Sequence, residues 1–377
     1  MKLVNPLNLR TLDLTVLVTG ANGFVGKNLT VALRERGIKF ECYERADDLA
    51  ALREKIKNCD HIFHLAGANR PTRREEFQSV NVNLTNFISD ELKKYKGKKL
   101  FFASSVQAVN KSDYGISKAQ AEDLLQRAKL DYGLECLSVR LPNIFGKWCR
   151  PFYNSVVATY CYNIWRDLPC VIDNPNHIIT LAYIDDIIKW LIELLDQSDW
   201  TNHQVYNGPT FQVSLSELSE KLNSFKDHRE TRFAFDVTRQ FDKLLYATFL
   251  SYMPPEKFAY DLQKHEDERG MFSEFVKIFN GGQVSIITIK NGQARGGHYH
   301  HTKVEKFLVV KGGVEFNFKN ILTKETYAVN IEDRENRVIE TAPGWQHSLR
   351  NVKEEEAIVV IWCNENFDPK SPDTFVS

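Results

Sequence analysis

Residues 19–26, Thr19-Gly-Ala-Asn-Gly-Phe-Val-Gly26, decide the fold of the first half of the chain. They follow the β-branched run of residues 15–19 and lead into a helical stretch that begins near Lys27. Glycine at these three positions permits a tight turn, brings the backbone close to a pyrophosphate, and lets the helix pack closely on the strand. The free N–H groups at the start of the helix then bind the anion. We therefore predict a dinucleotide site at Gly20, Asn22, Gly23, Phe24, Val25 and Gly26.

The pattern of apolar residues changes along the chain. Up to about residue 250, short β-branched or aromatic runs alternate with longer helical stretches, which is typical of βαβ units around a doubly wound parallel sheet. After residue 260, short strands separated by turn pairs such as Gly281-Gly282 indicate an all-β domain. A helix cannot continue through the Pro-Pro pair in Ser251-Tyr-Met-Pro-Pro-Glu256. We therefore predict a Rossmann-like α/β domain at residues 1–250 and an all-β domain at residues 251–377.

The composition excludes several classes of function. The 377 residues include 49 basic and 49 acidic side chains, so no net charge attracts the chain to nucleic acid or anionic lipid. No window approaches the ~18 consecutive apolar residues of a membrane-spanning helix, and residues 1–14 lack the apolar core of a signal peptide. The seven cysteines show no CxxC spacing, as expected of free thiols in a reducing compartment. We expect a cytoplasmic protein with no nucleic-acid partner and no membrane insertion.

A second set of residues in the first half suits acid–base chemistry. Tyr114-Gly-Ile-Ser-Lys118 places a phenol and an ammonium four residues apart, on one face of a helix. Ser104-Ser105 ends the preceding strand, His64-Leu-Ala-Gly67 ends an earlier one, and Asn81 lies between them in the chain. Together with the GxxGxxG turn, these motifs resemble the extended branch of the short-chain dehydrogenase/reductase superfamily, which acts on nucleotide sugars.

This resemblance implies a role for each residue. Ser105 would hydrogen-bond the substrate carbonyl, and Tyr114 would act as the general acid and base. Lys118 would lower the pKa of Tyr114 from about 10 while holding the ribose, and Asn81 would order a water on the lysine. Beside Tyr114 and Lys118, the family implies cofactor contacts at Leu65, Ala66, Gly67, Ser104, Leu141 and Asn143.

The end of the second strand, residues 39–45, decides between the two nicotinamide cofactors. An acidic residue there holds the ribose 2′-OH of NAD, whereas an arginine accommodates the 2′-phosphate of NADP. Glu44 and Arg45 offer both. We favour Arg45 and NADPH, because a reductase that draws on the NADPH pool fits the other motifs; in the alternative, Glu44 binds NAD and Arg45 is a solvated charge.

The second half contains a set of metal-ligand residues. His298, His300 and Glu305 have HxHxxxxE spacing, and the two histidines share a face if they lie on one strand. His347 follows a turn farther along the chain. Three imidazoles and one carboxylate suit Zn²⁺, Fe²⁺, Mn²⁺ or Ni²⁺. These segments resemble the two signature motifs of the cupin fold, a jelly-roll barrel; in the alternative, they are histidines on a strand surface.

Two further segments narrow the class of substrate. Residues 267–274 and Arg295-Gly-Gly-His-Tyr299 resemble stretches of the sugar-nucleotide 3,5-epimerases, which are metal-free cupins. That likeness implies that Arg269 grips the diphosphate, Phe272 stacks on the base and Glu274 contacts the nucleotide. In those epimerases the histidine of this motif abstracts the proton. The corresponding residue here is His298, which is also one of the predicted metal ligands. The proton-abstracting residue therefore stays open, with Tyr299 and Lys311 as weak candidates.

Nearly the whole chain resembles one family. Arg140-Leu-Pro-Asn-Ile-Phe-Gly-Lys-Trp-Cys-Arg-Pro151, residues 153–158 and 180–186, and the appended cupin are similar to the capsular-polysaccharide reductase/epimerases of UDP-N-acetyl-L-fucosamine biosynthesis. The resemblance implies a zinc-containing homodimer. Its cupin would epimerise C3 of UDP-2-acetamido-2,6-dideoxy-L-arabino-hexos-4-ulose, and its reductase domain would then reduce the C4 ketone with NADPH to the 6-deoxy-L-talose product. Candidate substrate contacts are Asn143, Lys147 and Arg150.

Two other functions fit parts of the sequence. An epimerase or dehydratase that retains NAD, with a non-catalytic sugar-binding cupin, would consume no NADPH. A binding module that senses redox state and a sugar would lack the acid–base residues, and the presence of Ser105, Tyr114 and Lys118 argues against it.

Overall fold

A computed structural model describes residues 14–200, 203–234, 238–278, 281–370 and 372–376. Residues 1–13, which bear on the expectation about a signal peptide, lie outside it. The chain forms two compact units: the first is Met1–Leu222 with Leu244–Met253, and the second is Asn223–Lys243 with Pro254–Ser377. The second unit thus includes a stretch that precedes residue 250, and the domain boundary at that residue stays a prediction. Among the described residues, no helix is long and apolar enough to cross a membrane.

The first unit alternates strands and helices. A π-helical segment, Phe77–Asn83, precedes its third helix, and a 3-10 helix, Val106–Val109, precedes its fourth. In chain order, the elements are β1 (Thr15–Thr19), α1 (Phe24–Glu35), β2 (Lys39–Tyr43), α2 (Leu49–Asn58), β3 (His61–His64), α3 (Leu84–Leu92), β4 (Lys99–Ser105), α4 (Asp113–Tyr132), β5 (Glu135–Leu141), β6 (Asn143–Phe145), α5 (Val156–Trp165), β7 (Ile178–Tyr183), α6 (Ile184–Leu194), β8 (His203–Val205) and β9 (Phe211–Ser214).

The main sheet of this unit is parallel and has the order β2-β1-β3-β4-β5-β8. Successive residues of β1 face opposite sides, as the period of two requires. Val16 and Val18 pack with residues of α1 and α6, while Leu17 packs with residues of α2, α3 and α4. Because β2 and β3 flank β1, the strand order reverses beside β1, and a crevice opens at its carboxyl end. The doubly wound α/β class is confirmed.

Side-chain caps begin several of these helices. Asp48 accepts a hydrogen bond from Ala51 N (2.7 Å) at α2, Ser112 accepts from Gly115 N (3.1 Å) at α4, and Ser155 accepts from Ala158 N (3.2 Å) at α5. A smaller sheet consists of β6, β7 and β9, and β6 follows β5 directly in the chain. Two more helices, α7 (Leu215–Thr231) and α8 (Gln240–Leu250), contain residues of both units.

The second unit consists of two β-sheets. Their inner faces share one apolar cluster, which includes Ile287, Phe307 and Val359 from one sheet and Phe316 and Leu349 from the other. The sheet orders are β10-β12-β13-β20-β15-β18, with β11 on β12, and β17-β16-β19-β14-β21. This arrangement confirms the predicted all-β, cupin-like fold. The strands are β10 (Phe233–Ala234), β11 (His265–Asp267), β12 (Gly270–Ile278), β13 (Gly282–Ile289), β14 (Ala294–Tyr299), β15 (Glu305–Lys311), β16 (Gly313–Asn320), β17 (Thr326–Glu332), β18 (Val338–Glu340), β19 (Trp345–Asn351), β20 (Ala357–Cys363) and β21 (Phe375–Val376).

The first glycine of the turn after β1 predicts a measurable stability difference. Gly20 and Gly37 both have left-handed backbone, with φ of +71° and +66°. A Cβ at Gly20 would lie 2.7 Å from Ala66 N, whereas a Cβ at Gly37 would meet nothing within 4 Å. We expect Gly37→Ala to lower the free energy of unfolding by roughly 1 kcal/mol, and Gly20→Ala to lower it by a further ~1–3 kcal/mol because of the clash. Urea unfolding of both variants measures the difference, and equal losses would contradict the close approach.

Candidate functional site

The glycine turn is held against the ends of two strands. Gly20 N donates to Tyr43 O at the end of β2 (3.2 Å), and Gly23 N donates to Gly20 O (2.9 Å). A Cβ at Gly26 would lie 2.2 Å from Gly20 O, so only glycine lets α1 come this close to the turn. Helix α1 starts at Phe24, and its first N–H groups are therefore available to an anion at the turn.

A cavity of about 1260 Å³ extends from this turn to the end of β4. It brings the glycine turn together with the predicted acid–base residues Ser105, Tyr114 and Lys118, and with the candidate substrate residue Arg150. The predicted cofactor residues that line it are Gly20, Asn22, Gly23, Phe24, Val25, Gly26, Leu65, Gly67, Ser104, Leu141 and Asn143.

A smaller cavity of about 600 Å³ shares Gly20 and Gly67 with the first. Arg45 and Ala66, the two remaining cofactor candidates, line it. Arg45 is exposed and forms an ion pair with Glu76, while Glu44 accepts a hydrogen bond from Asn22 N (3.0 Å) in the glycine turn. Both residues that could select the cofactor therefore lie at the same cavity, and the carboxylate of Glu44 already has a partner on the turn.

Burial sets the electrostatics of the acid–base residues. It raises the pKa of Tyr114 above the usual value of 10, although hydrogen bonds with Asn69 and Ser105 oppose the shift. It lowers the pKa of Lys118 to about 8. Lys118 Nζ donates to Ala103 O (2.8 Å) and lies 4.8 Å from the centre of the Phe102 ring. The ammonium is thus held at the end of β4, on the same helix face as the phenol.

Asn81 positions the backbone beside Lys118. It lies in the π-helical segment, where its amide donates to Ala68 O and Ser117 Oγ (both 2.9 Å) and accepts from Ala68 N (2.8 Å). A Cβ at Gly67 would lie 3.2 Å from Lys118 Nζ and 3.4 Å from Asn81 Oδ1. Asn81 itself lines neither cavity. Its hydrogen bonds fix the segment after β3 on which the lysine packs.

A buried histidine holds the other end of that segment. His64 makes hydrogen bonds with Thr19 Oγ1 (2.7 Å) and Thr85 Oγ1 (2.9 Å), and burial lowers its pKa to about 3, so it is neutral. Thr19 Oγ1 also accepts from Ala66 N (3.2 Å). His64 therefore joins β1, β3 and α3 immediately below the cavity.

Sequence reasoning missed three residues that contribute to this site. Tyr153 accepts hydrogen bonds from Asn69 N (3.2 Å) and Arg70 N (3.4 Å), and Asn69 in turn bonds to Tyr114. The guanidinium of Arg150 lies 5.6 Å from the centre of the Tyr153 ring. Trp148 also lines the larger cavity, with a left-handed φ of +68°. Trp148 and Tyr153 stand beside Arg150 in the stretches that carried the family resemblance, whereas Asn69, two residues after the His64–Gly67 run, had no sequence signal.

Lys147 lies apart from these residues. Its ammonium forms an ion pair with Asp185 and lies 5.3 Å from the centre of the Trp148 ring, and it lines neither cavity. Its carbonyl accepts from Asn28 Nδ2 (3.3 Å), which ties the segment to α1. Lys147 thus stabilises this wall of the cavity in the structure, while Asn143 and Arg150 face the cavity.

The four predicted metal-ligand residues of the second unit meet in one cluster. The candidate ligand atoms of His298, His300, Glu305 and His347 all lie within 4.8 Å of one another. Glu305 Oε2 lies 3.0 Å from His347 Nε2 and 3.4 Å from His300 Nε2. Among the described residues, His300 Nε2 is buried without a well-oriented hydrogen-bond partner. Three imidazoles, one carboxylate and an unsatisfied buried nitrogen fit a divalent cation.

The charges in this cluster are those of a ligand set. Burial alone would raise the pKa of Glu305, but contacts with His300 and His347 and the charge of Lys303 hold it well below its usual range. Burial lowers the pKa of His298 to about 4; the neighbouring His347 and His300 add to this shift, and the charge of Glu305 opposes it. Glu305 is therefore ionised and His298 is neutral at physiological pH, which are the forms that bind metal.

The residues predicted to contact the nucleotide, and those named as candidates to abstract the C3 proton, are not members of the metal-ligand cluster. Arg269 is exposed and pairs with Asp267 (2.6 Å), while Glu274 is buried between Arg232 (3.1 Å) and Lys277 (2.9 Å). The other three are placed as follows: Phe272 packs against the apolar core, Tyr299 points to the face of β14 opposite His298 and His300, and Lys311 pairs with Glu355 (3.5 Å).

Comparisons with known proteins follow the same division of the chain. The NAD dependent epimerase/dehydratase family matches residues 16–207, and the Polysaccharide biosynthesis C-terminal domain matches residues 265–375. Over 362 residues the chain is 43% identical to UDP-2-acetamido-2,6-beta-L-arabino-hexul-4-ose reductase of Pseudomonas aeruginosa, covering 96% of this chain and 97% of that protein. The chain belongs to this reductase family. The family resemblance inferred from the sequence is confirmed.

Solved structures agree with membership of the reductase family. The capsular polysaccharide assembling protein CapF of Staphylococcus aureus superposes with a TM-score of 0.87 at 36% identity, over 96% of this chain and 99% of that one. The UDP-glucose 4-epimerase of Thermus thermophilus, in complex with NAD, has a TM-score of 0.53 at 18% identity over 63% of this chain and 98% of that one. This second likeness shows the fold of the first unit alone. Membership of the epimerase/dehydratase family implies a nicotinamide cofactor.

The buried lysine of this reductase predicts a pH dependence of stability. The pKa of Lys118 is about 8 in the folded protein, against 10.5 for an ordinary lysine. Between these values the unfolded chain binds more protons, so stability rises with pH over this window. We expect Lys118→Met to remove that rise and to raise the free energy of unfolding at pH 7 by roughly 1–2 kcal/mol. Urea unfolding from pH 7 to pH 11 measures both, and an unchanged slope would contradict the burial of the charge.

The cluster in the second unit predicts metal uptake. Glu305→Gln should lower zinc occupancy at least tenfold, because the amide loses the charge and one strong oxygen donor of a buried ligand set. Glu340 on β18 is exposed and pairs with Lys306, so Glu340→Gln is the matched control. Elemental analysis after zinc loading and dialysis gives the occupancy. Equal zinc in both variants would rule out Glu305 as a ligand.

Proposed function

We propose that this protein is a bifunctional nucleotide-sugar enzyme that acts on UDP-2-acetamido-2,6-dideoxy-L-arabino-hexos-4-ulose. The second unit epimerises C3, and the first unit then reduces the C4 ketone with NADPH to the UDP-2-acetamido-2,6-dideoxy-L-talose, a precursor of UDP-N-acetyl-L-fucosamine for capsule or O-antigen synthesis. One observation carries the proposal: Ser105, Tyr114 and Lys118 line the same cavity as the glycine turn. The name of the Pseudomonas aeruginosa relative supports a 4-keto UDP-sugar as the substrate.

The reduction needs a proton donor and an oxyanion partner at the ketone. Bound nicotinamide supplies the hydride to C4. Ser105 holds the ketone oxygen by a hydrogen bond, and Tyr114 gives its phenolic proton to that oxygen as the alcohol forms. The ammonium of Lys118 favours the phenolate that remains, because the two groups share one face of α4. Asn69 and Tyr153 keep the phenol oriented through their hydrogen bonds.

The epimerisation must precede the reduction. A proton leaves C3 readily only when the neighbouring carbonyl can carry the negative charge, and hydride transfer removes that carbonyl. The ligand set of His298, His300, Glu305 and His347 suits Zn²⁺, which would supply Lewis-acid stabilisation of negative charge on oxygen when bound. In the second candidate function, the cupin only binds the sugar and the first unit retains NAD as an epimerase or dehydratase.

The remaining contacts complete the proposal. In the first unit, Asn143 and Arg150 bind the substrate from the cavity wall, and Lys147 supports them. In the second unit, Arg269 is the exposed cation for the diphosphate. Stacking of Phe272 on the base and contact of Glu274 with the nucleotide would require these side chains to leave the apolar core and the ion pairs that hold them. We also propose that the active protein is a homodimer, as the resemblance implies.

Loss of the phenol separates the two activities. Tyr114→Phe should lower the rate of ketone reduction by at least 100-fold, because the general acid is gone, and should leave exchange of the C3 hydrogen with heavy water intact. NADPH absorbance and mass analysis of the sugar in heavy water measure the two steps in the full-length protein. Tyr95→Phe, which removes a hydroxyl remote from the cavity, is the control. Absence of deuterium at C3 with the wild type would exclude the epimerase assignment, and absence of NADPH consumption would favour the NAD-retaining alternative.

The charge at the end of β2 predicts the cofactor preference. Arg45→Ala should raise the KM for NADPH roughly 10–100-fold, since a charge-assisted contact with the 2′-phosphate contributes about 1.5–3 kcal/mol. The KM for NADH should change little. Steady-state kinetics with both cofactors test this, and an equal change for the two would assign the 2′ position to Glu44.

A further inference from the structure

The carboxyl-terminal segment of the chain, residues 372–376, lies beside the candidate metal ligands. Strand β21 pairs antiparallel with β14, so that Val376 is opposite His298 and Phe375 is opposite Tyr299. On the side of β14 that faces the core, His298 and His300 present their imidazoles to Glu305 and His347. The segment thus flanks the strand that carries His298 and that ends immediately before His300.

The main chain of this segment determines the state of one ligand. The carbonyl oxygen of Asp373 makes a hydrogen bond with His300 Nδ1. A carbonyl can only accept, so Nδ1 carries a proton, and in the neutral imidazole that binds metal Nε2 then keeps its lone pair. That Nε2 is the buried atom 3.4 Å from Glu305 Oε2. The contact therefore fixes both the tautomer and the direction of the ring that a metal would require.

The side chain of the same residue fixes the turn between two ligands. The Asp373 carboxylate accepts from the backbone N–H groups of His301 (3.0 Å and 3.1 Å), Thr302 (2.7 Å) and Lys303 (2.8 Å), and from Thr302 Oγ1 (3.1 Å). These residues connect His300 to Glu305. Hydrogen bonds to an ionised acceptor are about twice as strong as neutral ones, so this turn is held firmly.

We propose that Asp373 is a positioning residue of the metal centre, which sets the orientation of His300 and its spacing from Glu305. The inference rests on the proposal that the four residues hold a divalent metal. Without the Asp373 carboxylate, the turn after His300 and the segment that brings the main-chain carbonyl of residue 373 to His300 are no longer held together. The imidazole and the turn can then shift, so the ligand geometry must be formed when the metal binds. Outer hydrogen-bond partners of metal ligands typically account for 10–100-fold in affinity.

The test uses full-length protein and the metal alone as the probe. The dissociation constant for Zn²⁺ is measured by competition with a chromophoric chelator, and the Co²⁺-substituted protein is examined by visible absorption. Asp373→Ala removes the carboxylate, while Asp373→Asn keeps an oxygen that accepts from backbone N–H groups. Asp368→Ala is the control within the same stretch of chain, where the carboxylate accepts from Lys370 N (2.9 Å).

A second control separates positioning from general stability. Asp333 accepts from Gly312 N (2.9 Å) in another turn of the second unit, and Asp333→Ala removes a capping carboxylate that is not on the turn between His300 and Glu305. Melting of the metal-free protein ranks the loss of stability for every variant. Zinc affinity is then compared at a temperature at which all the variants are folded.

The proposal expects Asp373→Ala to bind Zn²⁺ 10–100-fold more weakly and to alter the intensity of the Co²⁺ bands, with Asp373→Asn closer to wild type. Asp368→Ala and Asp333→Ala should keep wild-type affinity. If Asp373→Ala binds Zn²⁺ as tightly as wild type, the positioning role is wrong while the metal proposal stands. If wild type itself takes up neither ion, the metal proposal and this inference both fail.

Discussion

The two hydrogen bonds of the buried His64 imidazole hold the catalytic half of this protein in place. They join Thr19 at the end of β1 to Thr85 on α3, and β3 ends between them. The segment that leaves β3 passes close to Gly20 on one side and to Lys118 on the other. Because one short segment separates the glycine turn from Lys118, the positions of these two parts of the candidate site are set together.

In the second unit, the register of the strands fixes the relative positions of the clustered histidines. His298 lies opposite His347 after a β-bulge in β14, and His347 lies opposite Phe318 on the next strand. The bulge follows from left-handed backbone at Gly296 and Gly297. An added residue in one strand shifts all later side chains to the other face, so this irregularity decides which residues of β14 reach the cluster. The candidate metal ligands here depend on register as much as on residue type.

Features that depend on neighbouring residues in the chain could be predicted from the sequence. The β-branched run Thr15–Thr19 is a strand, and Tyr114 and Lys118 lie on one helix, as their spacing predicts. The residues that meet in the cavity and in the ligand cluster were expected from the motifs and from the families that these motifs resemble. Contacts between distant segments were not: the ion pair of Lys147 with Asp185 and the cap of Asp373 on the turn before Glu305 join residues 38 to 72 positions apart. No local pattern encodes such pairs, because they form only once the chain has folded.

Trp148 shows how the shape of the sugar pocket could be changed at little cost. Its left-handed φ of +68° is unfavourable for a side chain with a Cβ, by roughly 1 kcal/mol, and would suit glycine. The indole is 46% exposed and forms part of the cavity wall. Trp148→Gly therefore relaxes the main chain while it opens space beside Arg150. For the proposed amino-sugar substrate, this position is the place to enlarge the pocket for bulkier acyl groups, since the usual penalty of an enlarged pocket is offset by relief of the backbone.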